Sequence, residues 1–140
     1  MTIKQLSIFI ENKSGTLIKV LDKLSKAGIQ IIASTVADTK DFGIYRVLCD
    51  KPLQAYLLLK EEGINIQLTD VIALSIDDTP GMAAQAVNKI SLSGVNILYL
   101  YSFLWKGRGV LVFRTDDNDK AIEVITLNKM TALSEIDFNV

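Results

Sequence analysis

The chain has 140 residues, a formal net charge of −1, one cysteine and no histidine. Sparse Lys and Arg residues argue against a nucleic-acid or anionic-membrane partner, and the missing histidine argues against zinc, haem and most acid–base catalysis. The lone Cys49 permits no internal disulfide, and no apolar run reaches the ~20 residues of a membrane span. We therefore expect a soluble cytoplasmic protein that needs no metal or cofactor.

The first half of the chain predicts the element order β-α-β-β-α-β. Alternating residues such as Leu6, Ile8 and Ile10 indicate half-buried strands, whereas apolar residues three and four positions apart indicate helices. Gly28 is a typical helix stop, and Pro52 suits a first helical turn. The predicted ranges are 5–10, 15–27, 29–37, 43–49, 52–62 and 64–68.

The second half predicts the same order of elements. Pro80 is expected in the first turn of its first helix, because proline suits that position. The segment that joins the halves is strand-like and is interrupted only at Thr69-Asp70. The predicted ranges are 71–76, 80–93, 95–104, 110–115 and 118–127, with a weaker final strand over 130–134.

The two halves are copies of one unit. A shift of 66 positions sets Gly15 on Gly81 and Gly28 on Gly94 without a gap. A domain of about 60 residues buries only roughly 60% of its chain surface, so we expect the copies to pack as a pair. The sequence thus predicts an α+β fold of two tandem ferredoxin-like units, each an antiparallel sheet with both helices on one face. The predicted domains are 1–69 and 70–140.

No group of residues suggests catalysis, so the protein is not expected to be an enzyme. Adjacent Asp77 and Asp78 point apart in a turn, where helix capping and solvation are their ordinary roles. The segment Lys106–Phe113 shares its glycines with the third-strand signature of RNA-recognition domains. It has Arg108 and Val110 where that signature needs stacking aromatics, so RNA binding is not expected.

The turn between the first strand and the first helix of each copy is a candidate ligand-binding segment. It reads Glu11-Asn12-Lys13-Ser14-Gly15-Thr16-Leu17 in the first copy and Asp77-Asp78-Thr79-Pro80-Gly81-Met82-Ala83 in the second. A helix start exposes unpaired N–H groups, and a glycine lets a ligand approach the backbone, so the turn suits a carboxylate. The alternative is ordinary capping by residues 12, 13, 78 and 79, with proline as the first helical residue of the second copy.

Each helix is followed by Gly28-Ile29-Gln30-Ile31 or Gly94-Val95-Asn96-Ile97. Together with the glycine turn, this pattern resembles the ACT domain, and the whole chain resembles stand-alone proteins of two tandem ACT domains. The resemblance implies a non-catalytic regulatory protein whose ligand, an amino acid or similar small molecule, binds at the interface between paired domains. The ligand-binding residues carried over by position are Asn12, Lys13, Ser14, Gly15, Thr16, Leu17, Gln30, Asp78, Thr79, Pro80, Gly81, Met82, Ala83 and Asn96.

In that arrangement loop N–H groups bind an α-carboxylate, and Asp78 with the amide oxygens of Gln30 and Asn96 binds an α-ammonium. The resemblance also implies allosteric behaviour, a homodimer and a regulated partner protein. Ser14 replaces Pro80 in the first copy, so we expect unequal sites with the tighter one in the second copy. The alternative function is an interaction module of ACT fold that has lost ligand binding.

Three aromatic residues of the second copy have two interpretations. Tyr99, Tyr101 and Trp105 either line the pocket for the ligand's side chain or pack within their strand and hairpin. Aromatic rings serve both purposes, because they bury a large area and carry a polar group.

Overall fold

The structure is a computed structural model that describes residues 1–11, 14–38 and 41–138. It divides into two compact units, a first unit of residues 4–69 and a second unit of Met1–Ile3 with Asp70–Phe138. The elements are β1 (Ile3–Glu11), α1 (Thr16–Lys26), β2 (Ile31–Asp38), β3 (Phe42–Cys49), α2 (Pro52–Glu61), β4 (Ile66–Ile76), α3 (Met82–Leu92), β5 (Ile97–Trp105), β6 (Arg108–Thr115), α4 (Asn118–Leu127), β7 (Thr131–Ala132) and a final 3₁₀ turn (Glu135–Phe138). Within the described ranges, no helix has the length and apolar character to cross a membrane.

The first unit is an antiparallel sheet covered by two helices. Strand β3 pairs with both β1 and β2, and the opening residues of β4 lie beside β1. Leu6 and Ile8 of β1 point toward the helices because alternate residues of a strand share a face. The core of this face includes Leu6, Ile8, Val20, Leu24, Tyr45, Val47, Ala55, Leu59 and Ile66.

The second unit repeats this arrangement. Strand β6 pairs antiparallel with β4 and β5, and the short β7 pairs with β4. The core between its sheet and helices includes Ile72, Leu74, Ala86, Ile90, Val95, Leu111, Phe113, Ala121 and Ile125. The predicted α+β fold of two βαββαβ units is therefore confirmed.

The repeat holds at the level of single residues. At a shift of 66 positions, α1 coincides with α3, α2 with α4, and β3 with β6, at both ends of each element. Gly43 and Gly109 occupy the same place, and a β-carbon on either would lie 3.1 Å from the Cγ1 of Ile10 or Ile76. Glycine suits both places because a larger residue would crowd the facing isoleucine side chain.

Three details differ from the sequence expectations. No interruption occurs at Thr69-Asp70, because β4 runs unbroken from Ile66 to Ile76. The 3₁₀ turn at the end of the described chain was not expected. The middle of β1, residues 5–8, is buried on both faces, since Gln5 and Ser7 are buried too. The Gln5 amide donates to Ser7 Oγ at 3.1 Å and Ser7 Oγ lies 2.8 Å from Thr69 Oγ1, so hydrogen bonds replace water on this face.

Candidate functional site

The glycine turns open α1 and α3 in the same way. Gly15 (φ 87°) and Gly81 (φ 88°) are the N-cap residues, in the left-handed region that glycine adopts without strain. In the second unit Met82 N–H donates to Thr79 C=O at 3.4 Å. Pro80 and Gly81 therefore fill the central positions of a type II β-turn, which favours proline followed by glycine.

This geometry corrects the capping interpretation. Pro80 lies before the N-cap and is not the first helical residue, because the positive φ of Gly81 forces the helix to begin at Met82. In the described chain, neither Asp78 nor Thr79 donates or accepts a side-chain hydrogen bond at this helix start. The first-turn N–H groups of α3 thus lack the side-chain acceptor that usually occupies them. Asn12 and Lys13, the other predicted capping residues, lie outside the described residues.

The turn of the second unit borders a small cleft. Asp78, Thr79, Gly81 and Ala83 line it on one side, and the hairpin residues Ser102–Leu104 and Gly109–Leu111 line it on the other. Its volume is about 280 Å³. Since a water molecule takes about 30 Å³ of liquid, the cleft has room for a small molecule of amino-acid size. Predicted loop residues Pro80 and Met82 do not line it.

Gln30 and Asn96 sit at matching places before β2 and β5. Gln30 N–H donates to Asp50 Oδ1 at 2.9 Å, and Asn96 N–H donates to Asp116 Oδ1 at 3.0 Å. The Asp50 and Asp116 backbone N–H groups donate back to the Gln30 and Asn96 carbonyls at 3.1 and 3.0 Å. This reciprocal pair fixes the backbone, while both amide side chains stay exposed. Asp50 and Asp116 are supporting residues that the site prediction missed, although the internal repeat aligns them.

A second cleft, of about 340 Å³, adjoins Gln30 at the far end of α1. Leu21, Ser25 and Gly28 also line it. The 11 residues of α1 span about 16 Å, and the glycine turn opens one end of this helix while Gln30 follows the other. Within a single unit the predicted loop residues and the predicted strand residue are therefore kept apart. The same holds for Gly81 and Asn96 across α3.

The aromatic residues of β5 favour the packing interpretation. The Trp105 ring lies 5.5 Å from the Phe138 ring and the Phe103 ring lies 6.2 Å from it, centroid to centroid. Lys106 Nζ stands over Trp105 at 5.7 Å. Trp105 belongs to a packed cluster, and Tyr99 and Tyr101 are half-buried on the same strand.

The charges near the second turn divide into a paired and an unpaired carboxylate. Asp77 accepts from Arg108 at 2.8 Å, and Arg108 also donates through Nε to Ser75 Oγ at 2.7 Å. Asp78 makes no ion pair with any described residue. Asp78 is therefore the carboxylate available to a bound cation, and no cluster of metal ligands occurs in the described part of the chain.

Comparison with known proteins identifies close structural relatives. The profile of one protein family, the ACT domain pair, matches residues 1–140. The crystal structure of protein BT0572 from Bacteroides thetaiotaomicron is 39% identical, covers 98% of this chain and 95% of its own, and superposes with a TM-score of 0.92. The regulatory subunits of aspartate kinase from Thermus thermophilus and Thermus flavus share the fold at 16% identity, with TM-scores of 0.60 and 0.56 and coverage of 89% of this chain and 90% of theirs. No curated protein sequence matches.

Proposed function

This chain belongs to the ACT domain pair family, and from that premise we propose that it is a non-catalytic regulatory protein that binds an amino acid. The observation that carries the proposal is the glycine turn, which occurs twice and presents helix N–H groups that no side chain of residues 1–11, 14–38 and 41–138 caps. Such groups bind carboxylates, because they are unpaired donors at the positive end of a helix. The regulatory role that the Thermus thermophilus structure names for its aspartate kinase subunit agrees with this class of function.

We further propose that each site joins the glycine turn of one ACT unit to the second-strand opening of a paired unit. A ligand the size of an amino acid cannot bridge the ~16 Å length of an α1 or α3 helix, so both ends of one unit cannot serve one molecule. The turn binds the α-carboxylate, Asp78 binds the α-ammonium, and Gln30 or Asn96 completes the contacts.

A thermal-shift screen of the intact chain against the twenty amino acids tests the proposal. A ligand at 100 times its Kd stabilises the native state by about 2.7 kcal/mol. At roughly 2.1 cal/mol/K of unfolding entropy per residue, this raises the Tm of a chain of 140 residues by about 9 °C. If no amino acid raises the Tm, the proposal is wrong.

A pair of variants tests whether the ligand-induced rise in Tm depends on Asp78. Asp78→Asn removes the charge that binds the ammonium and gives the second turn the residue that the first copy has at position 12. Asp119→Asn is the matched control, since Asp119 is an exposed acid in the first turn of α4. We expect the ligand-induced rise in Tm to shrink in the first variant and to persist in the second. Equal rises in both would remove Asp78 from the site.

An interaction module is the second candidate, and the exposed leucines of β5 favour it. Leu98, Leu100 and Leu104 are 49%, 41% and 65% exposed on an edge strand of the second unit. An apolar edge strand is suited to pairing with another protein. This candidate predicts a stable homodimer or heteromeric complex in sedimentation experiments, with no change in Tm on adding any amino acid.

A further inference from the structure

The outward face of α2 carries two leucines one helical turn apart. Leu53 and Leu57 are 62% and 55% exposed, whereas Ala55 and Leu59 of the same helix are fully buried in the core of the first unit. Residues four positions apart are neighbours on a helix surface, so the two leucines form one patch. A surface helix normally has polar residues on its outward side, so the first two turns of α2 are unusual in being apolar on both sides.

The second unit shows that the fold does not require these leucines. Helix α4 is the counterpart of α2, and the two helices have buried, half-buried and exposed residues at the same positions throughout. Asp119 and Glu123 take the places of Leu53 and Leu57, and both acids are exposed. The exposed leucine of α4, Leu127, has the acid Glu123 one turn before it. Since acids satisfy the fold at these positions, the leucine pair of α2 is explained by a partner that covers it.

The charges at the two ends of α2 oppose the dipole of their own helix. The basic Lys51 is the N-cap residue, and the first turn contains no acid. The acidic Glu61 is the last helical residue. A helix is stabilised by acids at its start and by bases at its end, so both charges are placed unfavourably within the unit. Neither residue forms an ion pair with any other residue that the structure describes.

We propose that the outward face of α2 binds the same face of a second copy of this chain, with the two α2 helices antiparallel. In a two-fold arrangement both copies contribute the same residues. An axis midway between the leucines brings Leu53 of each copy onto Leu57 of the other. Lys51 then lies within about 3 Å, measured along the helix axis, of the level of Glu61 in the other copy.

This pairing also explains the charges at the helix ends. Antiparallel helices place Lys51 beside the negative end of the neighbouring α2 and Glu61 beside its positive end. The two charges that oppose their own helix therefore favour this neighbour, and this self-complementarity selects a second copy as the occupant. The inference goes beyond the proposed function, because the pairing requires no bound amino acid.

The patch is small, so the association should be weak. Stable interfaces bury about 1,200–2,000 Å² in total, which is more than the outward face of one short helix provides on each copy. We expect a reversible dimer with a Kd in the micromolar range or weaker, on the order of 1 μM to 1 mM. Sedimentation equilibrium of the intact chain over a series of concentrations measures this Kd.

Exchanging the leucines for the residues of the second unit tests the assignment. Leu53→Asp with Leu57→Glu gives α2 the side chains that α4 has at the same exposed positions, so the fold should be retained, which circular dichroism checks. The dimer Kd should rise at least about tenfold, because charges replace apolar groups at the centre of the contact. Ile18→Ala is the matched control, since Ile18 is 63% exposed on α1 and its counterpart in the second unit is Ala84. This control should leave the Kd unchanged.

The variant Lys51→Glu should move two measurements in opposite directions. An acid suits a helix start, so the Tm at a low chain concentration should rise. The same change sets an acid opposite Glu61 of the other copy, so the dimer Kd should rise too, which means weaker association. Lys51→Glu with Glu61→Lys restores unlike charges between the copies and should recover part of the affinity. A residue that acts only within its own helix would change the Tm without changing the Kd.

A variant of the edge strand separates this surface from the other exposed leucines. Leu98→Lys with Leu100→Lys places charges on β5 and should leave the Kd unchanged. If this variant abolishes the dimer while Leu53→Asp with Leu57→Glu retains it, the edge strand makes the contact and the proposal is wrong. A wild-type chain that stays monomeric up to about 1 mM would also overturn it. These outcomes are independent of the thermal response to amino acids, which tests the proposed function separately.

Discussion

Replacing Gly81 by alanine perturbs the glycine turn and little else. Gly81 has φ 88° and ψ −12°, and a β-carbon added there meets no described atom within 4 Å. The cost is therefore confined to the backbone. Gly15 gives a matched position, with φ 87°, ψ −8° and the same open surroundings.

The change in folding stability of Gly81→Ala is the sum of two opposing contributions. An L-residue in the left-handed region costs about 1–2 kcal/mol relative to its ordinary conformation. Alanine also lowers the conformational entropy of the unfolded chain, and this stabilises the folded state by about 0.4–1 kcal/mol. The net loss is about 1 kcal/mol for Gly81→Ala, and the unfolding entropy of a chain of 140 residues converts this into a drop in Tm of about 3 °C. Gly15→Ala should cost the same.

Thermal unfolding followed by circular dichroism measures these differences. The Tm of Gly81→Asn should fall less than that of Gly81→Ala, because asparagine tolerates positive φ. The Tm of Gly81→Val should fall more, because valine is β-branched. A valine variant as stable as the asparagine variant would refute the backbone argument. In the proposed site, the methyl group of Gly81→Ala would stand where the carboxylate of a bound amino acid approaches the turn. The ligand-induced rise in Tm should therefore fall more in Gly81→Ala than in Gly15→Ala if the second copy holds the tighter site.

Two further predictions concern supporting contacts. Asp50→Ala and Asp116→Ala each remove a charged acceptor from the Gln30 or Asn96 N–H. Each should lower the free energy of unfolding, measured with urea, by about 1 kcal/mol. A lower free energy of unfolding in only one of the two variants would contradict the equivalence of the two units. Lys23 donates to Glu62 at 2.9 Å, and this hydrogen bond and charge lower the pKa of Glu62. A lowered pKa stabilises the fold above the unfolded value of about 4.3 and loses its effect as pH falls through the folded value. Glu62→Gln should therefore lower Tm at pH 7 and become indistinguishable from wild type in acid, whereas a constant difference at every pH would rule out the ion pair as its cause.

The repeat made most of the fold predictable. Apolar spacing located all four helices, and the bounds of α4 were predicted to the residue, 118–127. The shift of 66 positions let each copy check the other, so that the short β7 was expected from its counterpart in the first half although its own sequence is weak. These features depend on local periodicity, which a sequence records directly.

Features that depend on a particular backbone conformation were harder to predict. The pair Pro80-Gly81 suits either a helix start or a type II turn, and only the positive φ of Gly81 decides between them. The burial of Gln5 and Ser7 was missed because polar residues that alternate with apolar ones normally face water.

The differences between the copies follow one physical rule. Several positions that set the backbone are the same in both units: the left-handed glycines at 15 and 81, and the aspartates at 50 and 116 that fix the second strands. Exposed positions differ in size and charge, with Phe42 against Arg108 as the clearest case. These backbone positions are constrained by strain and hydrogen bonding in each unit separately, whereas exposed positions such as 42 and 108 change at little cost in stability. A duplicated unit can therefore keep one fold while its exposed positions diverge, as at residues 42 and 108.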